Sequence, residues 1–115
     1  MQITERKTHG IVVLDLKGRM TIDDGADLLQ DRFKTLIFAG HSKVLLNMAG
    51  VPHIDSGALG KLVSCSLTAR QKNSSVKLFG LSGRVVELLT ITKLITEFDT
   101  FDTEQEALSS FMATV

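Results

Sequence analysis

Lys43-Val44-Leu45-Leu46-Asn47-Met48-Ala49-Gly50-Val51-Pro52-His53-Ile54-Asp55-Ser56-Gly57-Ala58-Leu59-Gly60-Lys61-Leu62-Val63 decides how this chain is built. From Val44 to Met48 it is nearly continuous apolar sequence, the mark of a central strand covered on both faces. From Ser56 the apolar period becomes helical, and Leu59, Leu62, Val63, Ser66 and Leu67 share one face of a helix expected to end near Lys72. Between the two, Asp55-Ser56-Gly57 sets two good capping side chains at a helix start. Backbone N–H groups there lack intrahelical partners and carry the positive end of the helix dipole.

The same alternation extends in both directions. Upstream, Ile3 to Lys7 reads as a strand, Thr8-His9-Gly10 as a turn, and Ile11 to Gly18 as a second, β-branched strand. So short a connection implies an antiparallel hairpin. Ala26, Leu29, Phe33, Leu36 and Ile37 then fall at helical spacing up to Ala39-Gly40, with Asp23 and Asp24 placed at the positive end of the dipole. Downstream, Val76 to Leu81 is a strand, and Ser82 caps a helix expected to run through Val85, Val86, Leu88 and Leu89 to Leu94. Glu97 to Phe101 gives a short last strand. Thr103 and Glu106 have capping-box spacing ahead of a helix carrying Leu108, Phe111 and Met112. The expected fold class is α/β: a mostly parallel mixed sheet, an N-terminal antiparallel hairpin and about four helices. With no linker, repeat or low-complexity stretch, residues 1–115 are expected to form a single domain.

Composition removes several function classes. At 115 residues with zero formal net charge, the chain has no long-range field to draw nucleic acid or anionic membrane. Six Phe and no Trp or Tyr leave few platforms for stacking on bases. Cys65 is the only cysteine, so no intrachain disulfide or cysteine metal cluster forms, and on an apolar helix face it reads as packing. The N-terminal segment lacks a signal peptide's apolar core, and no apolar run approaches the ~20 residues that span a bilayer. The expected location is cytoplasmic.

Functional sites in open α/β sheets lie beyond the carboxyl ends of the strands, which nominates Asp55-Ser56. A serine at a helix start serves either as a cap or as the carrier of a phosphate, since a helix N-terminus favours an anion. A phosphate there adds about −1.5 to −2 charges at pH 7 and repels any acidic surface nearby. Asp55 reads as a capping or turn-forming residue, because one isolated carboxylate makes a poor metal site. His53, Asp55 and Ser56 invite a hydrolase reading. Yet three residues so close in sequence rarely converge on one proton path, and no G-x-S-x-G pattern surrounds Ser56. His9, His41 and His53 have no metal-ligand spacing, and the glycine-rich nucleotide motifs are missing, so no cofactor is expected. Lys61 and Arg19 are isolated basic residues, either solvated or facing an acidic partner.

Val51-Pro52-His53-Ile54-Asp55-Ser56-Gly57-Ala58-Leu59-Gly60 resembles the signature of the STAS family, the domain shared by bacterial anti-sigma factor antagonists and the cytoplasmic tails of sulfate transporters. Gly83 to Leu94, Phe98 to Phe101 and Glu104-Gln105-Glu106-Ala107-Leu108 are similar to later parts of that family. The resemblance implies a stand-alone, non-enzymatic STAS domain acting as an anti-sigma factor antagonist. It implies that Ser56 is the phosphoacceptor of a serine kinase of the histidine-kinase-like ATPase type, which is also the anti-sigma factor. The unmodified form binds that kinase and the phosphorylated form releases it, with a PP2C-type phosphatase resetting the cycle. His53, Asp55, Ser56, Gly57 and Lys61 are the expected partner-binding residues. The sequence departs from the family pattern at Gly57, where Ser, Thr or Ala is usual, and at Ala58, where Gly is usual. Two other readings stand beside this one: a STAS module of a transport or other signalling complex with Ser56 as a cap, and a small-ligand protein or enzyme using the strand-end crevice.

Overall fold

The computed structural model describes residues 1–112; the expected domain extends to 115, and 113–115 lie outside the described residues. In chain order the elements are β1 (Gln2–Thr8), β2 (Ile11–Lys17), α1 (Ala26–Phe38), β3 (Lys43–Gly50), α2 (Ser56–Gln71), β4 (Ser75–Phe79), α3 (Gly83–Ile91), β5 (Asp99–Phe101) and α4 (Glu104–Met112). The five strands form one sheet in the order β1-β2-β3-β4-β5. β1 runs antiparallel to β2, and β2 through β5 are parallel, as expected. His9 and Gly10 turn the hairpin with φ of 51° and 77°, the primed-turn geometry whose twist matches the strands it joins.

Because sheet order follows chain order, right-handed crossovers put α1, α2 and α3 on one face. There Val12, Leu14 and Leu16 of β2, Val44, Leu46 and Met48 of β3 and Leu78 of β4 pack against Phe33, Leu62 and Leu89. The opposite face is covered by α4, whose Ala107 and Phe111 meet Ile11, Val13, Leu45 and Phe79. Double coverage is why Ile11–Leu14 and Val44–Leu46 are uninterrupted apolar runs.

Polar contacts hold α4 in place. Arg6 Nε donates to Asp15 Oδ2 at 2.7 Å, while Nη1 donates to Glu104 Oε2 at 3.1 Å and Nη2 to Glu104 Oε1. Asn47 Nδ2 donates to the other Asp15 oxygen at 2.7 Å. The Arg6 guanidinium, helped by Asn47, holds the Asp15 carboxyl below the ordinary range against the opposing effect of burial. Lys77 is buried beneath α4, its Nζ 4.6 Å from the Phe111 ring centre and bonded to Ser110 Oγ.

Several boundaries differ from the sequence expectation. α1 begins at Ala26 behind Gly25 (φ 92°), so Asp23 and Asp24 stand in the preceding loop and Asp27 is the acid of the first turn. α3 stops at Ile91, and a 3-10 turn over Ile95–Glu97 replaces the start of the expected strand. The capping box at α4 is half formed: Glu106 N donates to Thr103 Oγ1 at 3.2 Å, but the Glu106 carboxylate takes the Thr103 hydroxyl instead of a backbone N–H.

Cys65 is 2% exposed, and burial pushes its thiol up to about 12 despite the opposing charges of Lys34 and Lys61. The thiolate is the reactive form. Native protein at pH 8 is therefore expected to resist an aromatic disulfide reagent and to react fully once denaturant is added. Rapid stoichiometric labelling of the native chain would contradict this packing.

Candidate functional site

The site lies beyond the carboxyl ends of β2, β3 and β4, where two loops are laced together. Gly18 N donates to Gly50 O at 2.9 Å, Met20 N to His53 O at 3.1 Å and Asp55 N to Met20 O at 3.3 Å. Met20 and Ile54 form an isolated parallel bridge that resumes the β2–β3 pairing past the irregularity between Asp15 and Lys17. Met20, Val51 and Ile54 are buried and fasten this ribbon to the core. The segment before α2 is consequently fixed by backbone bonds on one side and apolar packing beneath.

Asp55 organises the helix start. Its backbone is extended (φ −98°, ψ 175°), and Oδ1 accepts from Ala58 N at 2.7 Å, an N-cap. Both carboxylate oxygens also accept from Ile22 N at 3.1 Å, so one side chain caps α2 and ties down the neighbouring loop. The Ala58 N–H, then the Ile22 N–H and the charge of His53, hold the Asp55 carboxyl below the ordinary range.

The two capping candidates thus divide. Asp55 is the cap, whereas Ser56 is the first helical residue, exposed, and its hydroxyl has no hydrogen-bond partner among the described residues. The reading of Ser56 as a structural cap is corrected: its backbone is already helical, which turns the side chain away from the amides that a cap must reach. The Ser56 and Gly57 amides also have no backbone or side-chain acceptor among the described residues. Asp55 is not bonded to the Ser56 hydroxyl; its oxygens face amides.

The two departures from the STAS pattern have different causes. A Cβ at Gly57 would sit 2.6 Å from Ile22 Cβ, so glycine makes room for the isoleucine of the adjoining loop. Ala58 is 0% exposed, and its methyl fills the core instead of meeting a partner. Lys61, one turn on, reaches Asp27 on α1 at 3.1 Å. His53 is half-buried and lines a cleft of about 350 Å³ with Arg19, Pro52 and Arg84. Ser82 caps α3 by accepting from Val85 N at 3.3 Å, as expected, and its hydroxyl donates to Pro52 O at 3.3 Å.

Sequence reasoning did not find Ile22 or Arg84. Ile22 is 44% exposed and lies in a loop, where an apolar residue between Thr21 and Asp23 is the available signal. Among the described residues no group of three or more His, Cys, Asp and Glu side chains is placed to hold a metal ion. No described helix is long and apolar enough to cross a membrane.

A family model for the STAS domain matches residues 2–107. The fold is also that of solved structures. A candidate anti-sigma factor antagonist of Thermotoga maritima, TM1081, superposes with a TM-score of 0.87 at 23% identity, covering 94% of this chain and 92% of that one. The Bacillus cell fate determinant SpoIIAA in its phosphorylated form gives 0.73 at 18% identity over 96% and 99%. The murine anion transporter Slc26a9 gives 0.77 at 13% identity, covering 95% of this chain and 19% of the transporter. A comparison with curated proteins found no match.

Proposed function

This chain belongs to the STAS domain family, and from that premise we propose that it is an anti-sigma factor antagonist switched by phosphorylation of Ser56. The unmodified form binds an anti-sigma factor that is also a serine kinase of the histidine-kinase-like ATPase type, and the phosphorylated form releases it. A PP2C-type phosphatase restores binding, and the cycle runs in the cytoplasm. The observation that carries this reading is the division of labour at the α2 start. Asp55 does the capping, leaving Ser56 as an exposed hydroxyl beside amides without acceptors. A phosphate there gains from the helix N-terminus and places new negative charge on a surface otherwise held rigid. That SpoIIAA, of the same fold, has a phosphorylated form supports the reading. His53, Gly57 and Lys61 complete the proposed partner surface, and Asp55 serves it by fixing the loop.

The test is intact-mass analysis of the protein from its native cells with phosphosite mapping, followed by binding of the copurified kinase. We expect one phosphoryl group, on Ser56. Ser56→Ala keeps binding, and Ser56→Glu weakens it about tenfold or more, since like charge juxtaposed at an interface costs several kcal/mol. Equal binding by both variants would falsify the switch. The likeness to the murine transporter favours a second reading, a STAS module within a transport complex; a copurified membrane transporter whose binding ignores the charge at position 56 would select it.

A further inference from the structure

Among the described residues the ion pairs leave three arginines over, Arg19, Arg32 and Arg84, and two of them share a cleft. Arg6, Lys61 and Arg70 each engage a carboxylate, and the N-terminal amine engages Asp24. Arg19 and Arg84 are exposed and make no ion pair among the described residues. They are 65 positions apart in sequence (84 − 19), yet they line one cleft with His53 over a Pro52 floor. The cleft is held open by bonds already described: Met20 N to His53 O fixes the Arg19 side, and Ser82 Oγ to Pro52 O fixes the Arg84 side. In a chain of zero formal net charge, this is a built concentration of positive charge.

The cleft is not isolated. His53 and Arg84 also border an adjoining groove floored by Ile54, Leu88 and Ile91, with Glu87 on its edge. Ile91 is 69% exposed, so its side chain is open to a partner seated in the groove. The acids nearby are Glu87, Asp55, whose oxygens are taken by amides, and Asp23 and Asp24 in the preceding loop.

We propose that Arg19, His53 and Arg84 receive a carboxylate of an acidic, partly apolar protein segment, whose apolar side chain rests against Ile54, Leu88 and Ile91. Two unpaired guanidiniums match carboxylates in fork geometry, and the apolar groove beside them sets which acidic segment fits. The occupant is a partner protein, because a free anion makes no use of the apolar half. This deepens the proposed function and rests on it in one respect: a phosphate on Ser56 would repel the acidic segment that this cleft attracts.

The experiment is an NMR titration of the whole chain with four probes: a synthetic amphipathic peptide bearing Glu and Leu on one helical face, its Gln-for-Glu and Ser-for-Leu counterparts, and inorganic phosphate. The Glu/Leu peptide is expected to shift the His53 ring, the Arg84 side chain and the Ile91 methyls together, with affinity falling as salt rises. Both altered peptides and the Arg19→Glu/Arg84→Glu chain should bind at least tenfold more weakly. The proposal is overturned by phosphate binding as tightly as the peptide without moving Ile91, which makes the cleft a plain anion site. It is equally overturned if the Ser-for-Leu peptide binds as well, or if the Glu/Leu peptide gives no saturable shift. If Ser56 carries phosphate in cells but the unmodified chain ignores the peptide, this inference alone is removed. A chain that binds the peptide but never carries phosphate removes the switch alone.

Discussion

Replacing Asp55 with Ala is expected to loosen two places at once: the first turn of α2 and the loop around Ile22. The Asp55 carboxylate accepts from Ala58 N at 2.7 Å and from Ile22 N at 3.1 Å, so its removal orphans one helix-terminal amide and one loop amide, 36 positions apart (58 − 22). Hydrogen exchange at Ala58 and Ile22 should accelerate together, and the thermal midpoint should fall. Asp55→Asn should do less, because Asn caps nearly as well as Asp but supplies one acceptor oxygen instead of two. The pH dependence has a fixed sign. The Asp55 carboxyl is depressed in the folded chain, chiefly by the Ala58 N–H. Its contribution is therefore present above the unfolded value of about 4 and is lost as pH falls through the lower folded value. Asp15, held down by Arg6, has the same sign. Asp55→Asn should flatten part of the acid limb of a stability profile, and Asp55→Asn with Asp15→Asn should flatten more. If exchange at Ile22 is unchanged in the Ala variant, the carboxylate does not tie the loop.

How far the sequence could be read depends on whether a residue's role is local. The apolar runs of β2 and β3 announce burial on both faces because nothing else tolerates Ile-Val-Val-Leu and Val-Leu-Leu in sequence. The helix ends show the gradient well. α1, α2 and α3 all end with bonds of the Schellman pattern, from His41 N to Leu36 O, Ser74 N to Ala69 O and Leu94 N to Leu89 O. The residues at positive φ are Gly40, Asn73 and Lys93. Glycine and asparagine advertise that conformation; lysine does not. Leu94 continues the helical apolar period, so α3 reads as one turn too long, although Leu94 returns to the core after the chain has already turned. At the candidate site, Asp55 and Ser56 are both good caps, and only the extended backbone of Asp55 decides between them. Its second bond, to Ile22 N, spans 33 positions and leaves no local trace. Arg19 and Arg84 likewise gain meaning only when the fold brings their loops to one cleft.

Gly57→Ala provides the sharpest test of why this chain departs from its family pattern. An alanine in the first turn of an exposed helix would ordinarily help, by up to about 1 kcal/mol, because glycine spends more backbone entropy on folding. Here the new methyl would lie 2.6 Å from Ile22 Cβ and 3.1 Å from Cγ1, and a Cβ cannot swing aside as a chain end can. Moving Ile22 bodily means stretching its N–H away from Asp55, which weakens the bond that orders the loop. Overpacking of this kind costs about 1–3 kcal/mol, so the clash outweighs the propensity gain and Gly57→Ala should destabilise by roughly 1–2 kcal/mol. Ile22→Gly alone removes a half-exposed side chain together with its Cβ and frees the loop backbone, and should cost about 1–2 kcal/mol. In the Ile22→Gly background the Cβ that blocks the new methyl is gone, and Gly57→Ala should become neutral or stabilising. The double-mutant cycle, by denaturant unfolding of four proteins, should then give a coupling of about 1–3 kcal/mol. Additive effects would mean that glycine at position 57 answers to something other than Ile22. A coupling of the expected sign would make residues 22 and 57 one unit, in which a small residue next to Ser56 permits a large one on the loop beside it. The geometry of Ser56 would then be set by a contact between a loop and the start of α2, and under the proposed switch Ile22→Gly should alter how fast a kinase modifies Ser56 without touching the serine.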